Sequence, residues 1–119
     1  MKKIKRGEIH YADLEPILGS EQGGIRPVLI LQQYNSSSPT TIVAPITSQS
    51  KQGGHETHVP LDNPLLQPNS TALVEQVRAI DRQRLRGFVC AADEYEMGEV
   101  ERAIHHSLGL KCHEGGQTT

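Results

Sequence analysis

The apolar residues of this chain fall into short runs, and nearly every run ends at a proline, a glycine or a cluster of small polar residues. Runs of this length, several of them alternating apolar and polar residues, are typical of β-strands. Strands are predicted over residues 7–14, 28–31, 40–47, 58–61, 71–80 and 86–90. Because helices do not alternate with them, a parallel, doubly wound sheet is disfavoured. The pattern predicts a mainly β (α+β) fold with a small, twisted, antiparallel, barrel-like sheet.

One stretch near the end of the chain has helical periodicity. Asp93 with Glu96 three residues later is typical of an N-terminal capping box, and Gly109 is a suitable stop. A helix over 93–108 is therefore predicted to cover one side of the sheet. The polar, glycine-rich residues 111–119 predict a disordered tail. Apolar residues recur at helical spacing at Met97, Val100, Ile104 and Leu108.

Length and charge limit the class of protein. The 119 residues predict one domain, over residues 1–110, that can bury its own core. The formal net charge of -2 and the pI of about 6.3 argue against a surface that grips nucleic acid everywhere. Basic residues nevertheless cluster in 2–6 and 78–86, and acidic residues in 93–101. A local basic groove therefore stays open as an alternative to an ordinary solvated surface.

The sequence offers no sign of export, membrane insertion or metal binding. Cys90 and Cys112 fit neither a zinc pattern nor a disulfide framework, which predicts a reduced, cytoplasmic protein. Neither a signal peptide nor an apolar run that could span a membrane is present. His55, Glu56 and His58 come closest to a metal motif, but no third ligand has suitable spacing. No metal and no cofactor are predicted.

The most distinctive segment is the glycine-rich loop 19–27, which ends in Arg26 and a proline and leads directly into a buried strand. A polar loop on a rigid strand is a common arrangement at active sites. Gly19 and Gly24 have the spacing of a phosphate-binding P-loop, but its Lys-Ser/Thr pair is missing and a strand follows where a helix should begin. The guanidinium of Arg26 is then the predicted phosphate-binding group. A structural ion pair is the alternative.

A proline interrupts the third predicted strand. Pro45 cannot donate to a sheet ladder and so predicts an edge or a bulge. Bulges re-aim the side chains that follow and are common beside active sites. Thr47 comes two residues later, and by itself it is interpreted as an ordinary strand residue.

Several segments together strongly resemble the MazF/PemK family of toxin endoribonucleases. The resemblance covers about residues 5 to 110, and the combination of motifs is far more specific than any one of them. The matching segments are 7–9, 12–16, 19–29, 38–40, 42–44, 46–49, 57–59, 74–85 and 107–110.

The resemblance implies an SH3-like antiparallel barrel of the CcdB/PemK type, with five to seven strands and a C-terminal helix. It implies a homodimer that cuts single-stranded RNA, including mRNA, at short sequences without a metal. Attack by the 2′-hydroxyl would leave a 2′,3′-cyclic phosphate and a 5′-hydroxyl. A cognate antitoxin is implied as well, with an extended acidic segment in the RNA groove.

The resemblance also assigns residues. By position, Arg26 and Thr47 are the catalytic pair, and Glu21 lies beside the scissile phosphate as a candidate general base, with a water as the alternative. Residues 20–24 are predicted to form a flap, hinged on glycines, that closes over RNA and that the antitoxin holds out of place. The implied RNA-binding residues are Ser20, Gln22, Glu75, Gln76, Arg84 and Arg86.

Two segments depart from the family pattern. Residues 51–69 differ, and Pro60, Pro64 and Pro68 reshape them, so the recognised RNA sequence cannot be inherited. The tail beyond residue 110 has no family counterpart. The alternative function is a toxin of the same fold that binds a protein target, such as DNA gyrase, without cutting anything, because fold alone does not decide function.

Overall fold

A computed structural model describes residues 3–16, 18–19, 21–34, 37–49 and 56–111. These residues form antiparallel strands and one C-terminal α-helix, as predicted. Two single-turn 3-10 helices, Val74–Gln76 and Arg82–Arg84, lie between strands. The strands are β1 (Glu8–Asp13), β2 (Ile25–Ile30), β3 (Thr40–Thr47), β4 (His58–Pro60), β5 (Thr71–Leu73), β6 (Arg78–Asp81) and β7 (Leu85–Ala91); the helix α1 is Glu94–Leu108.

The sheet is organised around β3. Its strand order is β4-β5-β3-β2-β1-β7, with β6 as a further partner of β3. On one side β3 pairs with β2; on the other it pairs with β6 through Thr40–Val43 and with β5 through Ile46 and Thr47. The predicted antiparallel fold class is confirmed, and the sheet stays open, with β4 and β7 at its two ends.

Strand alternation builds an apolar cluster on each face of the sheet. Leu29 belongs to one cluster, and its neighbours Val28 and Ile30 belong to the other. Val100 and Ala103 of α1 are buried in the first cluster, so the helix covers that face. Burying such side chains contributes about 1.5–3 kcal/mol each to folding.

The helix begins and ends where the sequence predicts. The Asp93 side chain accepts from the Glu96 backbone N–H and the Glu96 side chain accepts from the Asp93 N–H, which forms the capping box. Gly109 ends the helix with a left-handed φ of 67°. The other carboxylate oxygen of Glu96 accepts from the Asp62 N–H at 2.8 Å, so the start of α1 also holds the segment between β4 and β5. None of the helices in the described residues is long and apolar enough to cross a membrane.

Two sequence-based predictions about strands are wrong. The single strand over 71–80 is split into β5 and β6, because the chain leaves the end of β3, turns at a 3-10 helix and rejoins β3 at its start. β2 begins at Ile25, so Arg26 and Pro27 lie within a strand instead of at a loop junction.

The edge or bulge predicted at Pro45 takes the form of a local interruption in a central strand. Pro45 lies where β6 ends and β5 begins, and neither of these strands is paired with it. At this residue β3 is therefore paired with β2 alone.

The gap between the strands predicted over 71–80 and 86–90 holds the 3-10 helix Arg82–Arg84, which is capped by Asp81. Residues 112–119 of the predicted tail lie outside the described residues.

Candidate active site

The register of β2 and β3 brings Arg26 and Thr47 together. Val28 pairs with Pro45, Leu29 with Ala44 and Ile30 with Val43. Continuing this register by two residues places Arg26 opposite Thr47. Both residues line the same cleft.

Arg26 is half-buried and carries an unpaired cationic end. Its Nε donates to the backbone oxygen of Gly23 at 2.7 Å, which fixes the plane of the guanidinium. Among the described residues, neither terminal nitrogen has a hydrogen-bond acceptor and no carboxylate forms an ion pair with Arg26. The chain has seven arginines, and each of the other six donates from a terminal nitrogen to a described carbonyl or carboxylate. As far as the described residues show, both terminal nitrogens of Arg26 are therefore available to bind an anion.

Thr47 is buried, with 6% of its surface exposed. Its Oγ1 accepts from the Gln49 backbone N–H at 3.1 Å. A hydroxyl that already accepts still has its own proton to donate. The local turn thus orients this donor at the end of β3, in the cleft that Arg26 also lines.

The cleft around this pair has a volume of about 450 Å³. Of the described residues that line it, Arg26 is the one charged residue; the others are apolar or neutral polar. A guanidinium in such surroundings is suited to one phosphate, because its field is not cancelled by a nearby carboxylate. The lining residues are Tyr11, Ile25, Arg26, Pro27, Ile46, Thr47, Ser48, Gln49, Pro64, Leu65, Leu66, Gln67 and Ser70.

The described part of the predicted flap, residues 21–24, is tied to its surroundings. The Gln22 N–H donates to the side-chain oxygen of Gln76 at 3.0 Å. The Gly24 N–H donates to the Glu15 carboxylate at 2.7 Å. With the bond from Arg26, these contacts tie the loop to the 3-10 helix Val74–Gln76, to Glu15 after β1 and to β2. That this part of the loop closes as a flap stays a prediction.

Four predicted site residues line a second cleft of about 350 Å³. Glu21, the candidate base, is among them, so the structure does not place it in the cleft of Arg26 and Thr47. Its carboxylate accepts from the Leu18 N–H at 2.8 Å. The two clefts meet on β3, where Pro45 lines the second and Ile46 the first. The second cleft is lined by Glu21, Gln22, Pro45, Glu75, Gln76, Val77 and Arg78.

Glu75 is held in the second cleft as a carboxylate. Its Oε2 lies 3.0 Å from His58 Nε2. Partial burial acts to raise the pKa of Glu75, but hydrogen bonds from its own backbone and from His58 and Thr57 outweigh it, so the pKa is lowered. Glu75 thus keeps its charge and fastens β4 to the 3-10 helix beside Gln76.

The remaining predicted site residues lie elsewhere. Arg84 donates from Nη1 to the backbone oxygens of Asp13 and Glu15, and so holds the end of β1. Arg86 donates to the Gln83 oxygen at 2.7 Å and lies 3.6 Å from the Asp13 carboxylate. It lines a third cleft, of about 360 Å³, with His10 and Phe88 among others. Ser20 lies outside the described residues.

Sequence reasoning missed several residues of these clefts. Arg78 lines the second cleft and donates from Nη1 to the Leu14 oxygen at 3.3 Å. Tyr11, Leu65 and Gln67 line the first. No local pattern could have found them, because strand register brings Tyr11 beside Pro27, and the chain between β4 and β5 returns to the end of β3.

Cys90 is not a candidate nucleophile. Burial, with a smaller effect from the Glu96 carboxylate, raises the pKa of its thiol, which disfavours the reactive thiolate.

Comparison with known proteins agrees with the fold and the family resemblance. The model of the PemK-like, MazF-like toxin of type II toxin–antitoxin systems matches residues 5–108. Endoribonuclease EndoA of Bacillus subtilis strain 168 is 44% identical over 111 residues, which are 90% of this chain and 96% of that protein.

Solved structures of MazF from Deinococcus radiodurans are similar as well. The structure of MazF shares 26% identity, with a TM-score of 0.79, and the match covers 92% of this chain and 99% of that one. A MazE–MazF structure from the same organism shares 26% identity, with a TM-score of 0.72 and coverages of 91% and 97%. This chain therefore belongs to the PemK-like, MazF-like family of type II toxins.

Proposed function

We propose that this toxin is an endoribonuclease that cleaves single-stranded RNA in the cleft of Arg26 and Thr47. One observation carries the proposal: a fixed guanidinium, whose two terminal nitrogens have no acceptor among the described residues, shares a cleft with a buried hydroxyl donor, and no other described residue of that cleft is charged. The endoribonuclease class is supported by the relative from Bacillus subtilis, which bears that name.

The chemistry follows from what these two side chains can do. RNA supplies its own nucleophile, because the 2′-hydroxyl can attack the adjacent phosphorus. The bond to the 5′-oxygen breaks, giving a 2′,3′-cyclic phosphate and a 5′-hydroxyl, while water takes the 2′-hydroxyl proton and supplies a proton to the 5′-oxygen. Arg26 donates to the non-bridging oxygens, whose negative charge grows in the transition state. Thr47 donates to a phosphate oxygen and holds the group in line for attack.

In this proposal the charge needed at phosphorus comes from Arg26, so no metal is required. We assign Glu21 no part in the step, because this residue lines the other cleft and its carboxylate accepts from the Leu18 N–H. A homodimer, and inhibition by a cognate antitoxin whose acidic segment covers the free guanidinium, complete the proposal. Membership of a family of toxins from toxin–antitoxin systems supports the proposal that a cognate antitoxin binds this protein.

The proposal is tested by incubating the purified protein with a transcript of mixed sequence in the presence of EDTA. Wild type should give a ladder of defined fragments. Arg26→Ala should cut about 100- to 1000-fold more slowly with unchanged thermal stability, because one preorganised donor to the transition state is lost.

The matched control is Arg102→Ala, which removes an exposed arginine of α1 that pairs with Glu99. It should cut like wild type. No fragments from wild type, or full activity of Arg26→Ala, would reject the proposal; the former result would favour the non-cutting toxin of the same fold.

A further inference from the structure

We propose that Leu65 and Gln67, in the segment between β4 and β5, read one of the two bases that flank the scissile phosphate. This inference rests on the proposed function, because it concerns the substrate of the same cleft. It assigns the choice of cut site to two side chains outside the catalytic pair.

Both side chains lie in the wall of the cleft that holds Arg26 and Thr47. Among its described lining residues the cleft has one cation, which matches one phosphate. The rest of its lining is apolar or neutral and polar, which matches the base and sugar attached to that phosphate. A wall residue can therefore contact a base without competing for the phosphate.

The segment that presents them is rigid. Pro64 and Pro68 flank it and restrict its backbone on both sides. The Leu65 N–H donates to the Asn63 side chain at 2.8 Å. Ser70, with 3% of its surface exposed, donates from Oγ to the backbone oxygen of Gln67 at 2.6 Å.

The core anchors the same segment from beneath. Leu66 is buried in the apolar cluster under α1, and its N–H donates to the Asn63 oxygen at 2.9 Å. Leu66 thus points into the protein while the residues on either side of it face outward. A fixed backbone of this kind favours selective contacts, because little free energy is lost in ordering the segment when RNA binds.

The two exposed side chains have complementary chemistry. Leu65 is 66% exposed and shares the cleft with two other exposed apolar side chains, Ile25 at 65% and Tyr11 at 44%. Together they offer an apolar surface against which a splayed base can pack. The amide of Gln67 makes no hydrogen bond to any described residue, so its donor and its acceptor are both free to meet a base edge.

The test maps cut sites at single-nucleotide resolution on one mixed transcript, for wild type, Gln67→Ala and Leu65→Ala. Both positions are exposed, so both variants should fold, which thermal unfolding checks. Gln67→Ala should relax the base preference at one position next to the cut by about 5- to 100-fold, the discrimination that one hydrogen-bonded base contact supplies. Leu65→Ala should weaken cleavage most at sites with the preferred base.

Two exposed residues outside the cleft serve as matched controls. Gln83→Ala and Leu110→Ala remove side chains of the same types and should keep the wild-type order of cut sites. If wild type cuts but both cleft variants keep that order, or slow equally at every site, the inference is overturned while the proposed function stands. If wild type gives no fragments, the proposed function itself fails.

Discussion

Arg26 differs from the other six arginines because neither of its terminal nitrogens donates a hydrogen bond to a described residue. The family resemblance also implied RNA contacts for Arg84 and Arg86, yet both donate to backbone oxygens of the chain, those of Asp13 and Gln83. The sequence could predict that Arg26, at the end of a glycine-rich loop, is the phosphate-binding group. It could not show which guanidinium stays unpaired. The Asp13 carbonyl, for example, accepts from Arg84 only because the folded sheet brings the two residues together.

Thr47 carries the second residue-scale prediction. Thr47→Val keeps the shape of the buried side chain but removes the donor, so cleavage should slow by about 10- to 100-fold, as expected for a lost hydrogen bond to a charged group. Thr47→Ser keeps the hydroxyl and should stay within a few-fold of wild type. Single-turnover rates on one short RNA provide the comparison. Equal rates for the Val variant and wild type would remove Thr47 from the mechanism.

At the scale of elements, local signals were sufficient for the helix and for β1, β3, β4 and β7, whose bounds lie within one residue of the predicted ones. The capping box and the stop at Gly109 are encoded by neighbours in sequence. The split of residues 71–80 is not, because it depends on β3 changing partners at Pro45. Because of the same non-local pairing, Thr47 lies at the end of a central strand and lines a cleft.

The capping box supports a prediction about stability. Asp93→Ala leaves the Glu96 backbone N–H without its side-chain acceptor and should lower the free energy of unfolding by about 1 kcal/mol. Asp62→Ala, at an exposed position nearby, should change it by less than about 0.5 kcal/mol. Chemical denaturation measures both values. Equal stability of Asp93→Ala and wild type would show that the cap contributes nothing.

The 3-10 helix Val74–Gln76 supports a prediction about pH. Folding lowers the pKa of Glu75 from its ordinary value of 4.5, so its carboxylate stabilises the folded state above that value and loses this effect as pH falls through the lower folded pKa. Glu75→Gln should therefore be less stable than wild type near neutral pH. The difference should shrink as the pH falls below 4.5.

Unfolding curves at several pH values test this. A gap between Glu75→Gln and wild type that widens in acid would contradict it. Because Glu75 is partly exposed, the difference at neutral pH should be modest.

At the scale of the whole molecule, the sequence was sufficient for the fold class and the family but not for the layout of the site. The predicted residues divide between two clefts that meet on β3, and Arg84 and Arg86 lie outside both. Folding of one antiparallel sheet brings residues 11, 26, 47 and 67 to one cleft. Residues so far apart in the sequence form no periodic pattern that would predict their meeting. The one-domain, cytoplasmic and homodimeric predictions stay predictions.

In the proposed mechanism the RNA supplies the nucleophile, and Arg26 and Thr47 stabilise the phosphate. The decisive test uses a short RNA with one cut site. At that nucleotide alone, the 2′-hydroxyl is replaced by hydrogen. Cleavage should disappear there, while the all-ribose RNA gives a 2′,3′-cyclic phosphate by mass spectrometry. Undiminished cleavage of the deoxy-substituted RNA would contradict the mechanism.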